Sequence, residues 1–159
     1  MRLNWYKTLP KGYKAMLELQ KVVDESKIDH KLFEFIKIRA SQINGCAHCL
    51  EMHTKDAIAL GEDEQRLHVL AAWREAPFYS ERERAALAWC ESLTNISNTG
   101  APDGVYEEVE RLFSPEEIVE TTISIIAING WNRLAVGLRS EVGSYVSNKK
   151  TGLVENHIA

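Results

Sequence analysis

Apolar residues recur along this chain at the three-to-four-residue spacing of amphipathic helices, and nowhere do they keep the alternation of a β-strand. Prolines and glycines separate the apolar segments from one another, as they do in loops between helices. Helices are predicted, with approximate bounds, over residues 14–24, 31–43, 46–60, 63–74, 105–112 and 115–145, and another begins after Ser80. The pattern therefore predicts an all-α protein that forms one domain.

Two of the predicted helices begin with a capping box. Ser80 is followed three residues later by Glu83, and Ser114 by Glu117, so each pair can bond backbone N–H groups that the first turn leaves free. Pro115 takes the first helical position after Ser114, where its missing N–H removes no hydrogen bond. These signals indicate where both helices start.

Length and composition agree with that fold. With 159 residues, of which 45% are hydrophobic and 26% charged, the chain can bury a core and has no sign of disorder or a fibrous repeat. We expect an N-terminal helical extension over residues 1–28, a helical core over residues 29–146 and a C-terminal tail over residues 147–159.

Charge and hydropathy argue against nucleic-acid and membrane partners. The formal net charge is −4 and the basic residues are scattered, so no nucleic-acid surface is expected. The most apolar stretch, residues 118–127, contains Glu120 and is too short to span a bilayer. The N-terminus has no apolar run of a secretory signal, so we expect a reducing, cytoplasmic location.

In such a compartment the Cys-x-x-Cys pair at Cys46 and Cys49 calls for a chemical explanation. At about 100° per residue on a helix, Cys46, Cys49 and His53 fall within about 60° of one another, and His48 points away. The two thiols are one turn apart, close enough for a disulfide after modest adjustment of the backbone. Along the axis His53 lies about 6 Å from Cys49 and about 10 Å from Cys46.

A reactive thiol must lose its proton, and two features of the sequence can favour the thiolate. The helix N-terminus favours negative charge on Cys46, and His53 can take a proton from Cys49. Glu34 lies among apolar residues of the preceding helix and is a candidate to orient His53. An ordinary surface ion pair of Glu34 with Lys37 or Lys31 is the alternative.

Two other interpretations of the pair remain open. Cys46, Cys49 and His53 could supply three of the four ligands of a structural zinc ion, although the chain has no second Cys/His pair. Both cysteines could also be simple core residues, which is the interpretation we favour for the third cysteine, Cys90.

The remaining candidates are expected to be structural. Gly130 and Gly137 share one face of the last predicted helix, where another helix backbone could approach closely, from this chain or another subunit. A polar network or a subunit contact is expected for the cluster Asn129, Trp131, Asn132 and Arg133. Core or interface positions are expected for Trp73, Trp89 and Trp131. No chemical role is assigned to His30, His68 or His157.

Glu34, eleven further residues and then Cys46-Ala47-His48-Cys49-Leu50-Glu51-Met52-His53 resemble a known signature. It is the Glu…Cys-x-x-Cys-x-x-x-His signature of the AhpD-like alkylhydroperoxidases in the carboxymuconolactone decarboxylase superfamily. Residues 41–46, 83–88 and 128–133 are also typical of these proteins, and the resemblance spans about residues 33–138.

The resemblance implies an AhpD-like helical bundle with peroxidase activity and no bound metal or organic cofactor. By position, Cys49 would be the peroxidatic thiol and Cys46 the resolving thiol. His53 and Glu34 would form a proton relay, with His48 as an accessory residue. The decarboxylase branch of the superfamily lacks the cysteine pair, which argues against that chemistry here.

The resemblance also implies partners: a small-molecule peroxide, a dithiol reductant such as a lipoyl carrier protein, and further copies of the chain in a trimer or hexamer. Two rival functions remain at this point. One is a thiol–disulfide oxidoreductase or redox sensor with a different oxidant, and the other is a non-catalytic, zinc-binding oligomer.

Overall fold

The computed structural model describes residues 1–149, and within that range the regular secondary structure is entirely helical. The α-helices are α1 (Trp5–Thr8), α2 (Pro10–Asp24), α3 (His30–Asn44), α4 (Ala47–Ala59), α5 (Glu64–His68), α6 (Glu81–Thr94), α7 (Ile96–Thr99), α8 (Asp103–Leu112) and α9 (Pro115–Leu138). A short 3₁₀ helix covers Leu70–Ala72. The all-α, single-domain fold expected from the sequence is confirmed.

The centre of the fold is α3, which packs against α4, α6 and α9. Apolar side chains on all sides of α3 are buried, as expected of a helix enclosed by its neighbours. Phe33 and Ile36 belong to one apolar cluster, shared with α6, α8 and α9, and Phe35 and Ile38 belong to a second, shared with the segment around Leu70. Among residues 1–149 no helix is long and apolar enough to cross a membrane.

Helix starts follow the capping signals of the sequence. Both capping boxes are present, with Ser80 and Ser114 each accepting from the third helical N–H and the paired glutamates accepting in return. Gly45 ends α3 in a left-handed conformation (φ +65°), which glycine adopts without strain. This turn makes Cys46 the N-cap of α4 and places α4 against α3.

The predicted helix over residues 63–74 is wrong in its middle. There α5 ends at His68 and the tighter 3₁₀ helix follows. Leu67, Leu70 and Trp73 are three residues apart and are all buried in the same cluster. A repeat of three residues per turn keeps them on one face, whereas an α-helix would rotate them apart, so the tighter helix suits this burial.

The last helix ends at Leu138 rather than near Tyr145, because Arg139 adopts a left-handed conformation (φ +56°). Residues 141–149, which we term the C-terminal strap, run back across α4. The N–H of Gly143 donates to Oε2 of Glu51 (2.6 Å), and the carbonyl of Tyr145 accepts from Lys55 (2.8 Å). Side chains of α4 thus form hydrogen bonds with backbone groups that would have been paired within α9 if that helix were longer. Residues 150–159, including His157 and most of the expected tail, lie outside the described residues.

Close approach at the glycines of α9 differs from the expectation. A Cβ at Gly130 would meet the side chain of Met16 on α2, not another helix backbone, and a Cβ at Gly137 would meet nothing within 4 Å. The polar network expected at this helix is present and joins it to α3. Asn44 donates to Oδ1 of both Asn129 (3.0 Å) and Asn132 (2.9 Å). Trp73 and Trp89 are buried, as expected.

Candidate active site

The cysteine pair lies at the first turn of α4. Cys46 and Cys49 have their sulfur atoms at disulfide distance, with Cα atoms 5.4 Å apart, and each residue is only 1% exposed. Sγ of Cys46 also accepts from the backbone N–H of Cys49 (3.3 Å), in the manner of an N-cap. The sequence predicted that these thiols could be joined, and the turn after Gly45 is what brings them together.

His53, one turn beyond Cys49, is held by a buried carboxylate. Its Nδ1 donates to Oε2 of Glu34 on α3 (2.8 Å), and Nζ of Lys37 donates to Oε1 of the same carboxylate (2.9 Å). All three side chains are buried. Because a carboxylate only accepts, this bond assigns a ring proton to Nδ1 and makes Nε2 the ring nitrogen that can exchange a proton.

The charge on Glu34 depends on these two partners. Burial alone would raise the pKa of its carboxyl, but hydrogen bonds and charge from His53 and Lys37 outweigh burial and lower that pKa to about 2. Both interpretations of Glu34 from the sequence therefore describe real contacts, with one correction. The ion pair with Lys37 is buried rather than on the surface, and Lys31 bonds the carbonyl of Gly61 instead.

A second buried carboxylate, Asp56, lies on the next turn of α4. Its Oδ1 accepts from the hydroxyls of Tyr145 (2.8 Å) and Ser147 (2.5 Å) on the C-terminal strap. Burial and the bond to Asp56 raise the pKa of Tyr145 well above its usual value. Sequence reasoning missed Asp56, although its position three residues after His53 on one helix face is a usable signal.

His48 is fixed by the same strap. Its Nδ1 donates to the carbonyl of Glu141 (2.7 Å). The sequence predicted that His48 points away from the Cys–His face, yet its side chain lines the same cavity as Cys49 and His53. The accessory role that the resemblance implies for His48 stays a prediction.

The cavity beside these residues has a volume of about 490 Å³. One part of its wall is polar and includes Lys37, His48, Cys49 and His53. The other part comes from distant segments of the chain, chiefly α1, α2 and α9. A volume between about 300 and 1,000 Å³ is usual for small-molecule sites. The buried cysteine pair can thus meet a small molecule through Cys49.

Three donor atoms near the pair could be considered for a metal. Glu34, His53 and Asp56 each place one such atom within 4.8 Å of the others. Each carboxylate already accepts two hydrogen bonds, and the ammonium of Lys37 lies 2.9 Å from Glu34. A cation there would be repelled by the charge of Lys37 and would have to displace the groups that donate these hydrogen bonds. The three residues therefore fit a hydrogen-bonded network better than a metal site.

The third cysteine lies away from this chemistry. Cys90 is fully buried on α6, where Sγ donates to the carbonyl of Ile36 (3.3 Å). Burial raises the pKa of the Cys90 thiol to about 12. The core position expected from the sequence is confirmed.

Cys90 should therefore resist thiol reagents in the folded protein. At pH 8 a pKa near 12 makes its thiolate about a thousandfold rarer than that of an ordinary thiol. We expect the native, oxidised protein to show no thiol reactive toward DTNB, and one per chain after unfolding in guanidinium chloride. Cys90→Ala should remove that one thiol, and rapid labelling of Cys90 in the native protein would contradict the prediction.

Comparison with known proteins places the chain in a family. The carboxymuconolactone decarboxylase family matches residues 10–92, which include Glu34, both cysteines of the pair and His53. The chain belongs to this family. The uncharacterised protein YdfG of Bacillus subtilis (strain 168) is 41% identical over 143 residues, covering 90% of this chain and 97% of that protein.

Solved structures narrow the position within the family to the AhpD-like proteins. A protein of unknown function from Agrobacterium tumefaciens, described as a candidate antioxidant defence protein AhpD, is 45% identical. Its TM-score is 0.87, and the match covers 91% of this chain and 99% of that one. The debrominase Bmp8 shares the fold at 23% identity, with a TM-score of 0.78 over 87% of this chain and 74% of its own. The fold is thus shared with a protein named as a debrominase, so the fold alone does not identify the reaction of this chain.

Proposed function

We propose that this protein is a thiol peroxidase that reduces hydroperoxides with the Cys46–Cys49 pair. The observation that carries the proposal is the pairing of these sulfurs at disulfide distance beside a His53–Glu34 hydrogen bond. A dithiol that can close into a disulfide supplies two electrons, which is what cleavage of one O–O bond requires.

Cys49 is proposed as the attacking thiol. It is the cysteine of the pair that lines the cavity, together with His48 and His53. Cys46 is the N-cap of α4, within reach of the Cys49 sulfur. In this arrangement a peroxide in the cavity can reach Cys49, and Cys46, which does not line the cavity, can act as the resolving thiol.

The proposed reaction runs in two balanced steps. His53 takes the proton of Cys49, and the thiolate attacks one peroxide oxygen, so the O–O bond breaks and the alkoxide leaves as an alcohol with that proton. Cys49 is then a sulfenic acid. The Cys46 thiol attacks the Cys49 sulfur, an S–S bond forms and the hydroxyl leaves as water. An external dithiol, such as a lipoyl group on a carrier protein, reduces the disulfide by exchange.

Glu34 acts in this scheme as a positioning residue. Its ionised carboxylate fixes the Nδ1 proton of His53, so Nε2 is the nitrogen that can accept a proton. Lys37 holds the carboxylate from its other side. The mechanism does not require a metal. The proposal also includes assembly of the chain into a trimer or hexamer.

A thiol count tests the function. The protein is reduced, freed of reductant and assayed for bound metal, and its thiols are counted in guanidinium chloride before and after one equivalent of tert-butyl hydroperoxide. We expect three thiols to fall to one, with Cys90 the survivor. Stoichiometric zinc would overturn the proposal in favour of a zinc-binding oligomer. An unchanged count together with rapid oxidation by lipoamide disulfide would identify a thiol–disulfide oxidoreductase.

A further inference from the structure

Four aromatic rings form a continuous part of the cavity wall. Trp5 and Tyr6 come from α1, Tyr13 from α2 and Trp131 from α9, and we term them the aromatic wall. Trp5 packs edge-on against Tyr13 with ring centroids 5.5 Å apart, and lies 5.9 Å from Trp131. All four rings line the same cavity as Cys49 and His53.

Part of the surface of the aromatic wall is exposed. Tyr6 is 38% exposed and Tyr13 37% exposed, even though each packs against another ring. Leu17, also on α2, extends the same apolar surface along the cavity and is itself exposed. Aromatic side chains with one face open to a cavity are well suited to stack against another ring.

The polar part and the aromatic part of the cavity wall suit different parts of one ligand. The reacting sulfur of Cys49 and the polar side chains of Lys37 and His48 take a polar group, and the aromatic wall takes a flat, apolar body. We propose that the aromatic wall is a specificity site that selects aryl-substituted organic hydroperoxides as substrates of the cysteine pair. This inference rests on the proposed function.

Energetics favour discrimination by the body of the substrate. A well-placed pair of aromatic rings contributes about 0.5–1.5 kcal/mol beyond the burial of its area, and a larger apolar group in a pocket changes specificity by about tenfold or more. The chemistry at the O–O bond is unchanged. The products are the aryl-substituted alcohol, water and the Cys46–Cys49 disulfide.

Two tertiary hydroperoxides provide a matched test. Cumene hydroperoxide differs from tert-butyl hydroperoxide by a phenyl group in place of a methyl group. We expect the second-order rate of thiol loss in the reduced protein to be about tenfold higher with the cumene compound. Trp5→Ala and Tyr13→Ala should lower the rate with the cumene compound toward the rate with the tert-butyl compound, so that the preference is lost. Phe78, exposed and outside the cavity wall, supplies the control variant Phe78→Ala, which should keep the preference.

A binding measurement keeps the test sharp if a variant loses some α1 structure. The alcohol product, 2-phenyl-2-propanol, should slow the reaction with tert-butyl hydroperoxide in the native protein and in Phe78→Ala, but not in Trp5→Ala or Trp5→Leu. Trp5→Phe, which keeps a ring, should retain most of the effect. If the alcohol stops inhibiting only in the variants that lack a ring at position 5, the inhibition depends on ring stacking and not on a general loss of α1 structure.

Other results would overturn the inference. Equal rates with both hydroperoxides in the native protein would show that the aromatic wall does not select. If Trp5→Ala slows both reactions alike and changes the molecular mass in light scattering, the wall is a contact between copies of the chain. If neither hydroperoxide consumes thiols, the proposed function itself has failed, which is a distinguishable outcome.

Discussion

Glu34→Gln is expected to lower the free energy of unfolding by about 3–5 kcal/mol, because it leaves the ammonium of Lys37 buried without its counter-ion. The same change removes the acceptor that orients His53, so thiol oxidation by peroxide should slow by about 100-fold. Denaturant unfolding followed by circular dichroism and stopped-flow peroxide consumption measure the two effects.

A second substitution separates stability from positioning. Lys37→Met added to Glu34→Gln removes the stranded charge and should recover most of the lost stability, but not the rate. If the double variant were as fast as the native protein, Glu34 would have no positioning role.

Acid should act on the native protein through the same carboxyl. Since folding lowers its pKa from 4.5 to about 2, its stabilisation is complete above pH about 4.5 and disappears as the pH falls toward 2. This contribution amounts to about 3 kcal/mol at neutral pH, and Glu34→Gln should show a smaller loss of stability over that range.

Cys49→Ser is expected to abolish peroxide-dependent oxidation of the protein, with a loss of at least about a thousandfold, since a serine hydroxyl is not ionised at neutral pH. Cys46→Ser should behave differently. Its hydroxyl can still cap α4, so the fold should persist, and Cys49 should still attack but stall as a sulfenic acid.

Trapping with dimedone distinguishes the two cysteine variants. After one equivalent of hydroperoxide, peptide mapping by mass spectrometry should find the adduct at Cys49 in Cys46→Ser, and none at Cys46 in Cys49→Ser. Cys90→Ala in both backgrounds should change nothing. An adduct at Cys46 would reverse the proposed roles of the two thiols.

Local chemistry explains how much of the site could be predicted from the sequence. Cys46, Cys49 and His53 belong to a single helix, so their relative positions follow from helix geometry once Gly45 marks where that helix begins. Glu34 could be proposed because a carboxylate in an apolar helix needs a partner, but His53, Lys37 and Lys31 were all possible partners. Only packing reveals that His53 and Lys37 share it.

Contacts between distant parts of the chain could not be predicted from local sequence patterns. Asp56 meets Tyr145 across 89 residues, and the aromatic wall joins the first helices to Trp131. No local pattern encodes such pairings. The end of α9 was missed for a similar reason: Arg139 carries no usual stop signal, and the C-terminal strap that follows it contacts Glu51 and Lys55 of the distant α4.

The cavity wall draws on two separate groups of segments, and this has an evolutionary consequence. Glu34, Cys49 and His53 lie on α3 and α4, whereas the opposite wall comes from α1, α2, α9 and the C-terminal strap. Of these four segments, only α2 lies inside the stretch 10–92 that matches the family. Substitutions in those outer segments can reshape what enters the cavity while the sulfur chemistry stays intact. The fold therefore lets selectivity and reactivity diversify independently.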